Sequence, residues 1–280
     1  MPISLVDILS PSRLTEVVDI GANPIDGAPP YINMLKEKVC RVTGFEPQAE
    51  ALDELLKKKG PNEQYLPYAI GNGETQTLNI CKAPGMTSLL EPDTNTLEIF
   101  GLFSQFGEVV SQSSVETKTL DEVTEIERVD FLKIDIQGSE LIAFEGGRSK
   151  LSEAVAVQTE VSFVNLYKNQ PGIGDIDSYM RGIGFIPHAF AELKKWPIAP
   201  CVINNNPRQG LNQLLEGDMI YVRDFTKPDL MSDEQLKHLA LIAHYCYNSF
   251  DLALRCIFLL EERKVFKTGT QQKYMKMLSS

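Results

Sequence analysis

Between residues 17 and 70 the chain alternates short apolar runs with amphipathic stretches, and this alternation restricts its fold more than any other feature. Residues 17–20 read as a buried strand ending at Gly21. A helix over 31–38, a strand over 39–45, a helix over 48–59 and a strand over 65–70 follow. In the 48–59 segment Ala51, Leu52, Leu55 and Leu56 form one apolar stripe, and Lys59-Gly60-Pro61 ends it with a basic last turn and two helix breakers. Strand–helix–strand units of this length place their strands parallel with right-handed crossovers, so the expected fold class is α/β.

A turn at 71–73 leads into a strand over 75–81, and residues 82–112 are expected to wrap the sheet edge. Later elements are a strand over 131–136, a helix over 139–144, a strand over 154–161 and a helix over 176–183. Residues 185–187 and 219–223 read as the last two strands. The chain's 280 residues allow one large α/β domain with a full core and an appendage. The appendage is read at 226–280. Ser232 and Gln235 form a capping box that opens a helix to about residue 247, and a second helix spans about 249–264. It is apolar nearly all round, with Asp251 and Arg255 spaced to pair. The expected organisation is a domain over 1–225 and a helical hairpin over 226–280.

Charge limits the partners. The 38 acidic and 27 basic side chains give a net charge of −11, which argues against nucleic acid as the main partner. Five cysteines without a Cys-x-x-Cys pair read as free thiols of a reducing compartment. Neither a basic-then-apolar leader nor a run of ~18 apolar residues appears, so the expected location is cytoplasmic and no membrane partner is expected.

Four clusters carry candidate chemistry. The first is Val17-Val18-Asp19-Ile20-Gly21-Ala22-Asn23, at a strand end where open parallel sheets bind ligands. Its glycine admits close approach, and Asp19 would repel a phosphate but suit a cationic ligand. Gly-x-Gly-x-x-Gly and Gly-x-x-x-x-Gly-Lys are both missing, which weakens the nucleotide-phosphate readings. The second is Gly44-Phe45-Glu46-Pro47. Glu46 stands 27 positions after Asp19, where a βαβ unit delivers a ribose-binding carboxylate, with Phe45 and Pro47 offering apolar surface to a base. The third is Phe131 to Glu140, in which alternation puts Lys133 and Asp135 on one side of the strand, able to pair or to meet a ligand. The fourth is Gln158-Thr159-Glu160, which closes the next strand and places a second carboxylate near Asp135.

These clusters, with the AIGNGETQTL stretch, the MTSLL run after it, and the later TEVSFVNLY and GDMIYVRD segments, resemble the FkbM family of S-adenosylmethionine-dependent methyltransferases. The resemblance runs from about Glu16 to Asp224. It implies a Rossmann-like class I methyltransferase sheet of seven, mostly parallel strands, and methylation of hydroxyl groups. It further implies that Asp19, Gly21, Ala22 and Asn23 hold the methionine part of the cofactor and Glu46 its ribose. Pro47 and Ala69 would lie near the adenine, with Ser88 and Asp135 on the far side. The chain departs from the family at the proline-rich 24–30 loop and in the helices after Asp224.

A hydroxyl acceptor needs an outlet for its proton. Asp135, Glu160 or His188 could take it as a general base, or carboxylates could hold a divalent metal, for which no specific motif speaks. The expected acceptor is a small molecule or a glycan, a sugar hydroxyl by family analogy. His238 and His244 do not share a helix face and read as structural. Trp196 is a candidate lid or stacking residue. Two other functions fit such a sheet: a nicotinamide-dependent oxidoreductase, and an assembly module that keeps the fold without catalysis. A band formed by Leu252, Ile257, Leu259 and Leu260 is expected to exceed what one chain can cover, which points to a homodimer through the second C-terminal helix.

Overall fold

The structure is a computed structural model that describes residues 4–23 and 27–279. In chain order its first strands are β1 (Thr15–Ile20), β2 (Cys40–Phe45), β3 (Glu63–Leu66), β4 (Ala69–Ile70), β5 (Thr75–Cys81) and β6 (Val109–Lys118). β7 (Phe131–Ile134), β8 (Ala156–Ser162), β9 (Phe185–Lys195) and β10 (Leu214–Arg223) follow. Seven of them form one sheet in the order β3-β2-β1-β7-β8-β10-β9, parallel except for β10, which runs against both neighbours. This is the expected Rossmann-like α/β sheet. The other three form a small sheet in the order β4-β6-β5.

Period-two alternation sends neighbouring strand residues to opposite faces, and each face has its own core. Val17, Phe131, Ala156 and Ile220 join one core. Val18, Leu132, Val157 and Tyr221, each one residue later, join the other. The first face is covered by α1 (Leu5–Leu9), α2 (Ile32–Lys36) and the C-terminal helices. α3 (Ala49–Lys58) links β2 to β3, and α4 (Thr94–Ile99) and α5 (Phe103–Phe106) precede β6. The second face is covered by α6 (Glu140–Glu145), α7 (Arg148–Leu151) and α8 (Ile173–Gly182).

The C-terminal segment holds three helices, α9 (Asp233–Tyr247), α10 (Phe250–Glu262) and α11 (Thr270–Leu278), where the sequence shows two. They share one core with β1, β2 and β7, so these three helices form a layer over the sheet. Leu252, Ile257, Leu259 and Leu260 are all buried within this chain. The apolar band expected to be left over is therefore covered, which removes the basis for a homodimer through that helix. Asp251 accepts from Ser249 Oγ and Arg255 lies over the Phe258 ring, so the expected ion pair between Asp251 and Arg255 is not among the ion pairs of the described residues.

Other boundaries differ for local reasons. The strand expected over 65–70 is two strands, because Pro67 has no N–H to continue the ladder. Leu66 pairs with Phe45 in the large sheet, whereas Ala69 pairs with Thr117 in the small one. β9 extends past Pro187 to Lys195, which a proline permits because β9 is an edge strand. Residues 24–26 of the proline-rich loop lie outside the described residues. No described helix is long and apolar enough to cross a membrane.

Candidate active site

The chain steps outward from β1 through β2 to β3, then returns to the other side of β1 with β7 and β8. The crevice beyond the strand ends opens at this reversal. Gly21 sits at its centre with φ +79°, and a Cβ there would lie 2.1 Å from the Asp135 carbonyl oxygen. Both the left-handed backbone and the close approach of the β7 end require glycine. Gly21 and Ala22 donate their N–H groups to the Phe45 carbonyl, and Asp135 N donates to Ile20 O. The ends of β1, β2 and β7 are thus tied together.

A largely apolar cleft of about 880 Å³ lies against these ends. It brings together seven of the expected cofactor residues: Gly21, Asn23, Glu46, Pro47, Ala69, Ser88 and Asp135. Glu46 is 3% exposed, and its Oε1 accepts from Gln48 N at 2.8 Å. Burial raises its carboxyl above the ordinary range, and the Gln48 N–H opposes that shift. Phe45, Tyr68, Leu78 and Val115 supply apolar walls. Buried Ser88 donates to Gln137 O at 2.7 Å and accepts from Leu90 N, tying the segment before α4 to the turn after β7.

Two expected cofactor residues, Asp19 and Ala22, line a different cleft of about 1350 Å³ on the other side of the β1 end. Asp19 is buried, accepts from Tyr31 Oη, and faces Lys133 Nζ at 3.5 Å without a hydrogen bond to it. The expected Lys133 pair therefore forms with Asp19 across β1 and β7. Burial raises the Asp19 carboxyl, with Lys133 pulling it back. Burial presses the Lys133 ammonium down, but Asp19 and Asp135 outweigh it and the net shift is upward. This cleft is walled by Asp19, Glu63, Asp135, Glu192 and Asp218 against Lys133 and Lys194. Asn23 and Asp135 line both clefts.

Beneath this junction three carboxylates converge. Asp135, Glu140 and Glu160 each place an oxygen within 4.8 Å of the others. The sequence puts Asp135 and Glu160 together but gives Glu140 no distinguishing mark, since an acidic residue is ordinary in the first turn of a helix. Glu140 Oε1 does accept from Ile136 N at 2.9 Å and Gly138 N at 3.2 Å. Burial pushes it up to about 7. Glu160, 4% exposed, is raised well above the usual carboxylate range by burial and by Asp135. Gln137, at φ +56°, donates from Nε2 to Asp135 Oδ1 at 2.7 Å.

His188 lines neither cleft. It sits on β9, half-buried, with Nε2 2.9 Å from Ser249 Oγ, and burial lowers its pKa. It is not placed to act as a base at Asp135. Trp196 is no lid either: its Nε1 donates to Phe100 O and its ring meets Phe103 edge-on at 4.5 Å in a third, smaller core. His238 and His244 bond Thr15 and Tyr274 in the core under the helices, as structural histidines do.

Among solved structures, magnesium protoporphyrin IX methyltransferase from Synechocystis PCC 6803 with bound SAM is 10% identical, covering 79% of this chain and 76% of that one, with a TM-score of 0.39. Precorrin-6y C5,15-methyltransferase from Geobacter metallireducens GS-15 is 12% identical over 78% of this chain and 84% of its own, with a TM-score of 0.35. A 23S rRNA methyltransferase is 10% identical over 99% of this chain and 97% of its own, again with a TM-score of 0.35. No curated protein matches the sequence significantly. The family model described as the methyltransferase FkbM domain matches residues 19–187, more than half of the chain and the motif clusters from Asp19 onward. That match, carried by the motifs and not by the sheet alone, sets the chain apart from nicotinamide enzymes of similar architecture. It belongs to the FkbM family of methyltransferases, whose methyl donor is S-adenosylmethionine.

Proposed function

We infer that the chain transfers the methyl group of S-adenosylmethionine to a hydroxyl of a sugar, glycan or small molecule. The observation that carries this reading is that Asn23 and Asp135 line both clefts. A cofactor in the apolar cleft, with its ribose on Glu46 and its adenine between Phe45 and Tyr68, would direct its methionine end past Gly21 toward Asn23. An acceptor in the second cleft meets it there. The sulfonium methyl is already activated, so alignment of oxygen, carbon and sulfur supplies most of the catalysis. As the carbon–oxygen bond forms, the carbon–sulfur bond breaks, the thioether leaves neutral, and the hydroxyl proton departs beside the Asp135 cluster.

The acidic wall of the acceptor cleft favours neutral or cationic acceptors over phosphorylated ones, in keeping with the net charge of −11. The test is a mass-shift screen of hydroxyl-bearing acceptors with isotope-labelled cofactor. Label on an acceptor oxygen is expected. Label found only on amines or carbon would contradict the reading.

A further inference from the structure

We propose that Asp135, Glu140 and Glu160 form a site for a hard divalent cation, reached from the two clefts through Asp135, which lines both. Their oxygens lie within 4.8 Å of one another. An ion bound at 2.0–2.1 Å, as Mg²⁺ is, spans oxygens at most about 4.2 Å apart, whereas Ca²⁺ at 2.3–2.6 Å spans about 4.6–5.2 Å. Three oxygens cannot all lie opposite one another, and at the limit of 4.8 Å they stand about 2.8 Å from a common centre, so Ca²⁺ needs a contraction of a few tenths of an ångström and Mg²⁺ one of about 0.7 Å. All three donors are carboxylate oxygens, the chemistry of Mg²⁺, Mn²⁺ and Ca²⁺ sites.

The second observation is an orphan. Glu160 is 4% exposed and its Oε1 has no hydrogen-bond partner among the described residues. The nearest cation, Lys194 Nζ, stands 3.8 Å away and donates to Glu216 at 2.9 Å instead. A buried carboxylate oxygen left so is costly, and a bound cation would satisfy it. The other two carboxylates are already oriented from outside, Asp135 by the Gln137 amide and Glu140 by the Ile136 and Gly138 N–H groups. Such supporting bonds fix ligand direction in metal sites. On the methyl-transfer reading, which this role presumes, the cation would lower the pKa of an acceptor hydroxyl, whose proton then leaves to water in the open cleft.

The test uses the full chain stripped with a chelator, titrated with Mn²⁺ by paramagnetic resonance and with Ca²⁺ by calorimetry. One ion per chain is expected. Glu160→Gln and Asp135→Asn should weaken it by more than the roughly 10- to 100-fold that losing an outer-shell partner costs. Glu98→Gln, exposed on α4 and lining neither cleft, should leave the affinity unchanged. A cooperative thermal melt by circular dichroism shows that each variant is folded, and S-adenosylmethionine calorimetry on the wild type separates the two claims. Cofactor binding with no stoichiometric ion up to about 1 mM overturns the metal site alone, as do unchanged ion affinities in both cluster variants. Ion binding lost in Glu160→Gln, in a chain that binds no cofactor, supports the site and overturns the cofactor placement.

Discussion

Asp19 and Lys133 are register partners on the adjacent parallel strands β1 and β7, and their charged ends approach to 3.5 Å inside the sheet. Lys133 also donates to Gly21 O, so the pair braces the turn against which both clefts are built. Removing one partner strands a buried charge. Lys133→Met should therefore cost about 3–5 kcal/mol in urea denaturation. The double variant Lys133→Met with Asp19→Leu should recover part of that loss. A double variant less stable than the single one would contradict the pairing.

The carboxylate cluster should leave a pH signature in chelator-treated protein. Glu140 and Glu160 bind protons more tightly folded than unfolded, because burial raises both in the native state. Below the ordinary carboxylate range both states are protonated and nothing is gained or lost. As pH rises through the window up to the folded values, of which that of Glu140 is about 7, the unfolded chain releases its protons first and stability falls. Asp135, Glu216 and Lys194 face Glu160 and set the size of the effect. Between about pH 5 and pH 8 the wild type should lose stability relative to Glu160→Gln, measured by denaturant melts at each pH. Parallel stability curves for the two proteins would remove Glu160 from the account.

Gly21→Ala should damage binding and fold together. A methyl group there meets Asp135 O at 2.1 Å, and φ +79° is strained for alanine. The left-handed backbone alone costs about 1–2 kcal/mol, and relief of the contact requires β1 and β7 to part at their ends. A lowered melting temperature and at least about tenfold weaker cofactor binding, equivalent to ~1.4 kcal/mol, are expected. Near wild-type values in both would mean that the strand ends are not held as described.

How much of this was legible in the sequence depends on range. The β1, β2 and β7 motifs were readable because apolar runs ending in Asp-Ile-Gly, Gly-Phe-Glu and Ile-Asp-Ile-Gln-Gly carry strand, turn and polar tip within a few residues. β6 was not, since Val109–Lys118 is mostly exposed and its polar residues show no buried alternation. The partition of Asp19 from Glu46 into separate clefts was hidden for another reason. It depends on which side of the β1 end a side chain leaves, and on Tyr31 and Lys133 claiming Asp19. His188 and Trp196 were judged by residue type, and only tertiary packing shows Ser249 and Phe100 as their partners. Glu140 shows in the sequence only as an acidic residue in the first turn of a helix, and its convergence with Glu160 needs the β7–β8 pairing.

The central claim is that the cleft at the β1, β2 and β7 ends binds S-adenosylmethionine with Glu46 on its ribose. Titration calorimetry of the cofactor into wild type and Glu46→Ala tests it most directly. Wild type should bind one cofactor per chain. Loss of charge-assisted hydrogen bonds should weaken the variant by about 1.5–3 kcal/mol, roughly ten- to more than a hundredfold, with its melting temperature little changed. No binding in the wild type, or equal affinity in both proteins, would contradict the account.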